Sequence, residues 1–190
     1  MLQTSIADTP SLGADLRALR KTRSVTLAEL AARLGRSVGW LSQVERGLSQ
    51  PSESDLLEMA EALGVSLSLL KGEAQPTERE AGHIVRRAAR RPIGKGIAGL
   101  AEDLLSPDLT DDFEMVHSTF APGSAAPAPI TRPTQEVAYM VSGHLDLTIG
   151  GREFTVGAGD SFRIRGEAQA WRNPYDQPAV AIWVIAPPVY

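Results

Sequence analysis

The sequence predicts a two-part chain: a small domain of five short helices, then a β domain closed as a sandwich or barrel. Three observations predict it. Apolar residues recur at helical spacing over residues 11–72, and a polar, proline-containing stretch interrupts the pattern up to about residue 82. Beyond it, short runs alternate apolar and polar residues between turns rich in glycine and proline. A length of 190 residues accommodates one small and one medium domain, each able to bury its own core.

Taken in order, residues 1–10 lack periodicity and end in proline, so they are expected to form a flexible arm. Helices follow over about 11–22, 26–34, 38–46, 52–63 and 66–71. Leu12, Leu16 and Leu19 form one apolar stripe, Leu27, Leu30, Ala31 and Leu34 a second, and Leu56, Met59, Ala60 and Leu63 a third. Thr26 with Glu29 reads as a capping box, and Ser52 after Pro51 as an N-cap. Gly35, Gly47 and Gly64 stand where helices should stop. Residues 73–82 read as a linker, and residues 83–190 as the β domain. Its strands are signalled by Phe113/Met115, Val137/Tyr139/Val141, Leu145/Leu147/Ile149, Phe162/Ile164 and Ala181/Trp183/Ile185. Many short strands at close spacing imply a sandwich or barrel.

Composition excludes several classes. No apolar run approaches the 18 or so residues of a membrane span, the start has neither a basic region nor an apolar core, and cysteine is absent. The expectations are a cytoplasmic protein, no membrane partner, no disulfide and no thiolate chemistry. The net charge of −4 is unevenly spread. Residues 17–46 hold seven basic residues against two acidic, whereas 96–190 hold five arginines against twelve acidic residues. The first segment suits phosphates and the second does not.

The segment TLAELAARLGRSVGWLSQVERG, residues 26–47, carries Leu30, Ala31, Leu34, Gly35, Leu41 and Val44 at the positions of a two-helix DNA-reading motif. With Leu-Arg-Ala-Leu-Arg at 16–20 and Pro51-Ser52, it resembles the Xre-type, phage-repressor-like helix-turn-helix family over about 11–72. That resemblance implies a second helix in the major groove, with Arg36, Ser37, Val38, Gly39, Ser42 and Gln43 facing bases. Gln43 is the candidate for a bidentate adenine contact and Val38 for a thymine methyl. Arg46 and Arg23 are candidates for phosphates. The family also implies an Arg20–Glu45 ion pair, and Trp40 is expected to pack between helices. Gly39, unfavourable inside a helix, implies either close approach to DNA or a tolerated weakness. The alternative is a protein-interaction module with the same stripes.

Ala121-Pro122-Gly123, Glu136 with Gly143 after it, Gly159-Asp160-Ser161-Phe162, Trp171-Arg172-Asn173-Pro174 and the closing Trp183 segment resemble the cupin half of Xre-cupin regulators over 119–190. The fold implied is a cupin, a double-stranded β-helix or jelly-roll barrel. The metal-ligand histidines of that family are missing. Their expected positions hold Ile130 and Arg132, or Pro129 and Thr131, and then Gln169 or Ala170, so only Glu136 remains. A single carboxylate does not hold a transition metal, and neither metal nor cofactor is expected. His83, His117 and His144 have no motif spacing, although His117 alternates with Phe113 and Met115 as a barrel-lining residue would. Arg163, Arg165 and Arg172 are expected at the surface. Glu136, Met140, Gln169 and Trp171 are the candidate ligand-binding residues, the carboxylate favouring an amine or another donor.

The expected function is sequence-specific transcriptional regulation by a homodimer on a double-stranded, pseudo-palindromic operator, answering a small-molecule effector in a metal-free barrel. Two alternatives stand beside it. One is a barrel that only dimerises; the other is a metal-dependent cupin enzyme with an accessory helix-turn-helix, a domain order that also occurs in iron-dependent enzymes of phosphonate metabolism. The sequence shows no Gly-rich phosphate loop or nucleophile elbow, and no enzyme activity is expected.

Overall fold

The computed structural model describes residues 12–71, 79–93 and 96–189. The expected arm at 1–10 and most of the expected linker at 73–82 lie outside the described residues. The chain divides into two compact units, one of Met1–Ala89 with Pro107–Thr110 and one of Arg90–Ser106 with Asp111–Tyr190. Residues 83–89 therefore group with the helices, and the second unit begins later than residue 83.

Among the described residues, the first unit holds five α-helices: α1 (Leu12–Thr22), α2 (Leu27–Arg33), α3 (Val38–Glu45), α4 (Glu53–Leu63) and α5 (Leu67–Lys71). Their ends follow from local chemistry. The Thr26 hydroxyl accepts the Glu29 N–H at 3.2 Å while Glu29 takes the Thr26 N–H at 2.7 Å, and Ser52 with Asp55 repeats this reciprocal cap at 3.2 and 2.9 Å. Helix α4 stops at Gly64, whose φ of 69° is left-handed and inexpensive only without a Cβ. The expected stripes meet in one core, where Leu16, Leu19, Leu30, Leu41, Met59 and Leu63 are buried. Each such leucine contributes roughly 1.5–3 kcal/mol on leaving water.

Helices α1 and α3 cross at Gly13. A Cβ there would lie 2.3 Å from the Val44 carbonyl oxygen and 2.9 Å from that of Glu45, so only glycine permits this approach. Also in this unit, the buried Leu109 donates its N–H to the Asp15 carboxylate at 2.9 Å.

Among the described residues, the second unit has nine strands: β1 (Arg91–Ile93), β2 (Leu100–Leu104), β3 (Glu114–Phe120), β4 (Gln135–Ser142), β5 (His144–Ile149), β6 (Arg152–Gly157), β7 (Ser161–Arg165), β8 (Gln169–Arg172) and β9 (Ala179–Ala186). They form a six-stranded sheet in the order β1-β2-β3-β9-β4-β7 and a three-stranded sheet in the order β6-β5-β8. This is the expected jelly-roll barrel. Val116, Phe120, Met140, Leu145, Leu147 and Trp183 belong to its core. Between β4 and β5, Gly143 has φ 73°, and a Cβ would lie 2.5 Å from the Pro178 carbonyl oxygen, so the turn closes against the chain entering β9.

Two runs that signalled strands turn their apolar residues outward. Met115 on β3 and Val137, Tyr139 and Val141 on β4 are exposed, as is Phe113 beside β3. The inward rows are Glu114, Val116, Ser118 and Phe120 on β3, and Glu136, Ala138 and Met140 on β4. A period of two reveals a strand but not which parity faces in, and here the sheet register decides. His117 accordingly sits on the outward row and does not line the barrel.

The crossing at Gly13 sets a stability prediction. Gly13→Ala should lower the unfolding free energy of the full chain by about 1–3 kcal/mol in urea denaturation. Gly39→Ala, where an added Cβ meets nothing within 4 Å, should be neutral or raise it by up to about 1 kcal/mol. Equal effects would refute the close α1–α3 approach.

Candidate functional site

Helix α3 is fixed from one side and presented on the other. Its N-cap Ser37 accepts the Trp40 N–H at 3.1 Å, and Leu41 and Val44 are buried beneath it. At its C-terminal end, Glu45 takes two bonds from Arg20 of α1, Nε at 2.6 Å and Nη2 at 2.8 Å, while Arg20 Nη1 donates to the Val25 carbonyl at 3.0 Å. This is the ion pair the sequence implied, in the bidentate form that orients as well as attracts. Both side chains are largely buried, so the pair also resists screening by salt.

The opposite face exposes Arg36, Ser37, Val38, Gly39, Gln43 and Arg46, with Ser42 half-buried among them. The sequence-expected reading residues thus share one accessible surface. Some of their groups are already engaged. The Ser37 hydroxyl serves the cap, and Arg46 Nε donates to the Ser42 carbonyl at 3.2 Å. Arg36 donates to Asp55 Oδ1 through Nε at 3.1 Å and Nη2 at 2.7 Å, and it stacks over Trp40 at 5.1 Å. The Ser52 hydroxyl and amide, joined by Arg36, hold the Asp55 carboxyl below the usual carboxylate range. Trp40 is half-exposed, and its ring lies under that guanidinium. Arg23 donates Nε to the Leu63 carbonyl at 3.1 Å, at the end of α4. Asp55, which the sequence reading did not single out, positions Arg36.

In the barrel, Glu136, Met140 and Gln169 are buried and Trp171 half-buried, its ring edge-on to Phe120 with centroids 4.8 Å apart. Glu136 accepts the Thr134 hydroxyl at 2.7 Å. Gln169 and Ile130 exchange backbone bonds at 2.9 and 2.8 Å, so two of the positions where histidine ligands were sought are neighbours. Among the described residues, no three of His, Asp and Glu converge in a way that holds a metal ion. Arg163 and Arg165 are exposed, and the exposed Arg172 pairs with Asp146 at 3.0 Å.

Two further acids stand beside Glu136. Ile185 of β9 lies opposite Glu114 on one side and Glu136 on the other. Glu102 of β2 lies opposite Ser118 and accepts its hydroxyl at 3.0 Å. Burial pushes the Glu114 carboxyl up to about 7; the Val189 amide and Arg132 oppose the rise, while Glu102 and Glu136 add to it. Burial also raises Glu102, with Ser118 and Arg132 opposing and Glu136 adding. Glu114 Oε1 accepts the Val189 N–H at 3.3 Å, but Oε2 is buried without a partner among the described residues, as is the indole N–H of Trp183. The sequence reading missed Glu102 and Glu114. The signal is present in the sequence, since Glu114 shares parity with Val116, Ser118 and Phe120, but the two parities of this run are equally apolar and neither marks itself as inward.

A cleft of about 560 Å³ opens between β5, β6 and β7, lined among others by Leu147, Ile149, Val156, Phe162, Arg152 and Glu167. None of the four expected ligand residues lines it. Phe162 stands edge-on to Trp183 with centroids 5.2 Å apart, which joins this cleft to the inward row of β9.

Comparison with known proteins agrees with both units. A family described as a helix-turn-helix domain matches residues 11–72, and one described as a cupin domain matches 116–185. An uncharacterized HTH-type transcriptional regulator of Mycobacterium tuberculosis is 44% identical over 69 residues, 35% of this chain and 49% of that protein. The chain thus spans about half the length of this relative. Another uncharacterized HTH-type transcriptional regulator, from Sinorhizobium fredii, is 42% identical over 55 residues, 29% of this chain and 71% of that protein. The structure of KdgF from Halomonas sp. is similar in fold, with a TM-score of 0.50 and 15% identity over 57% of this chain and 96% of that chain.

The raised Glu114 carboxyl predicts a pH dependence. Below about 4.5 the group is protonated folded and unfolded, and its contribution is fully present. Between there and about 7 only the unfolded chain releases the proton, so stability falls through that window and then levels. Urea unfolding at pH 5 and pH 8 should show a decline on the order of 3 kcal/mol that is missing in Glu114→Gln. Parallel behaviour of the two proteins would refute the assignment.

Proposed function

The chain belongs to the Xre-type helix-turn-helix transcriptional regulators and carries a cupin domain, and from that premise we propose that it reads a pseudo-palindromic operator as a cytoplasmic homodimer that answers a small organic ligand. The observation that carries this reading is the exposed face of α3, held from behind by Arg20 and Glu45. The N-terminal side chains of such a helix reach base edges, while basic groups around it meet phosphates. Gln43, exposed and without an intramolecular side-chain bond among the described residues, pairs with adenine, and Val38 touches a thymine methyl. Arg46 and Arg23 take phosphates.

An outward row supports the homodimer. In the six-stranded sheet Val184 lies between Met115 and Val137, and Ile182 lies between His117 and Tyr139. Val137, Tyr139 and Val184 are 47%, 51% and 42% exposed, an apolar stripe with no charge at its centre. Charges flank it instead: Asp103 opposite His117 on one edge, and Arg163 opposite Val137 on the other. A second copy related by a two-fold axis along the strands sets the acidic edge of each over the basic edge of the other. The inward acids, the buried unpartnered groups and the cleft support the sensing role, since a concave apolar site with a few polar groups is the usual form of a ligand pocket. In this reading the barrel acts by binding, in keeping with relatives that are named as transcriptional regulators.

Selection of genomic fragments on the purified chain should enrich a palindromic site with half-sites about one turn apart, ~34 Å. Gln43→Ala should cost about 1–3 kcal/mol at that site and relax one base preference, whereas Arg46→Ala should weaken all sequences alike and lower the salt slope by about 1. Binding without sequence preference would overturn the reading. Tyr139→Lys should convert the dimer to a monomer in analytical ultracentrifugation and reduce operator affinity at least tenfold; an unchanged dimer would place the interface elsewhere. Operator affinity that no compound in a broad metabolite screen alters would leave the barrel a dimerisation device alone.

A further inference from the structure

We propose that the barrel's ligand is a small organic ammonium compound that also carries a hydrogen-bond acceptor, its ammonium bound at Glu114 Oε2 and its acceptor at the Trp183 indole N–H. The inference rests on the sensing role and names its chemistry. Three carboxylates, Glu102, Glu114 and Glu136, face the interior from β2, β3 and β4, against one guanidinium acting on them, that of Arg132. Glu102 and Glu136 each have a hydroxyl partner, and Glu114 Oε1 has an amide. Glu114 Oε2 has none among the described residues, although the residue is only 2% exposed. A buried carboxylate oxygen without a donor is costly, and in a native structure it marks a place where a partner is missing.

The charge selects the missing partner. A neutral donor satisfies the oxygen but leaves the acidic excess, an anion adds to it, and an ammonium satisfies both. Trp183 supplies an independent observation. Its residue is 8% exposed and its indole N–H lacks a partner, two positions before Ile185 on the same inward row, and Ile185 is the residue flanked by Glu114 and Glu136. An indole N–H only donates, so a ligand that is purely cationic leaves it unmet. The compound therefore has two ends, a cation and an acceptor, with a short apolar stem against Trp183 and its neighbours. Arg132, at a position where a histidine ligand was sought, balances part of the acidic charge and leaves the remainder for the ligand.

The test uses the full chain and three matched series of increasing chain length: linear ω-amino alcohols, α,ω-diols and ω-hydroxycarboxylates. Calorimetric titration at pH 8 should show saturable binding for the amino alcohols only. Glu114→Gln, which keeps the shape and removes the buried charge, should weaken it at least tenfold while operator binding without ligand is unchanged. Trp183→Phe should weaken the amino alcohols severalfold but leave plain alkylamines of equal length unaffected. Diols or hydroxycarboxylates binding equally well, an unaffected Glu114→Gln, or no binding by any amino alcohol would each overturn the ammonium assignment. If neutral or anionic compounds then still shifted operator affinity, the sensing role would survive that failure; if nothing did, both would fall.

Discussion

One clamp holds the reading head in order. Arg20 on α1 grips Glu45 at the end of α3 with two short bonds, and the approach that brings them together exists only because residue 13 has no side chain. With that end fixed and Leu41 and Val44 buried, the other face of α3 has no freedom to roll, and Arg36, Val38 and Gln43 are offered to one side. A partly buried ion pair is weak evidence of net stability, because desolvation offsets much of the attraction. Its value here is orientation. A reading helix rotated by a fraction of a turn presents different side chains, so the fork of Arg20 bears on specificity more than on the amount of folded protein.

The barrel is organised by a different tension. Its interior is apolar along most of β5, β8 and β9, yet the inward rows of β2, β3 and β4 carry three carboxylates. Burying such groups is costly unless each finds a partner, and two of them do so through Ser118 and Thr134. Glu114 is left half-satisfied, its carboxyl raised by burial and by its acidic neighbours. A barrel optimised for stability alone would carry an aliphatic residue there. That half-satisfied carboxyl is the group the proposed ligand would meet.

The first unit was largely legible in the sequence because its signals are local. Caps at Thr26 and Ser52, stops at Gly35 and Gly64, and apolar stripes each depend on residues a few positions apart, and helical periodicity assigns the buried face without ambiguity. The candidate site on α3 followed from the resemblance to the Xre-type family. Some details did not follow, namely Arg36 tied to Asp55, Trp40 under that guanidinium, and Leu109 meeting Asp15 across 94 positions of chain. These are contacts between segments whose meeting no local pattern encodes.

By itself, then, the sequence determined the division into helices and strands and the absence of histidine at the positions of a metal centre, and its resemblance to the Xre-type family implied the Arg20–Glu45 pair. The helices and strands are carried by residue type and short-range spacing, whereas Arg20 and Glu45 stand 25 positions apart and meet through the fold. Only the tertiary structure decided which parity of β3 and β4 faces inward. A strand's alternation is symmetric until its neighbours are in place, and the pairing with β9 turned Val137 and Tyr139 outward and gathered Glu114 beside Glu136. The acidic interior and the apolar outer stripe are therefore two consequences of one register.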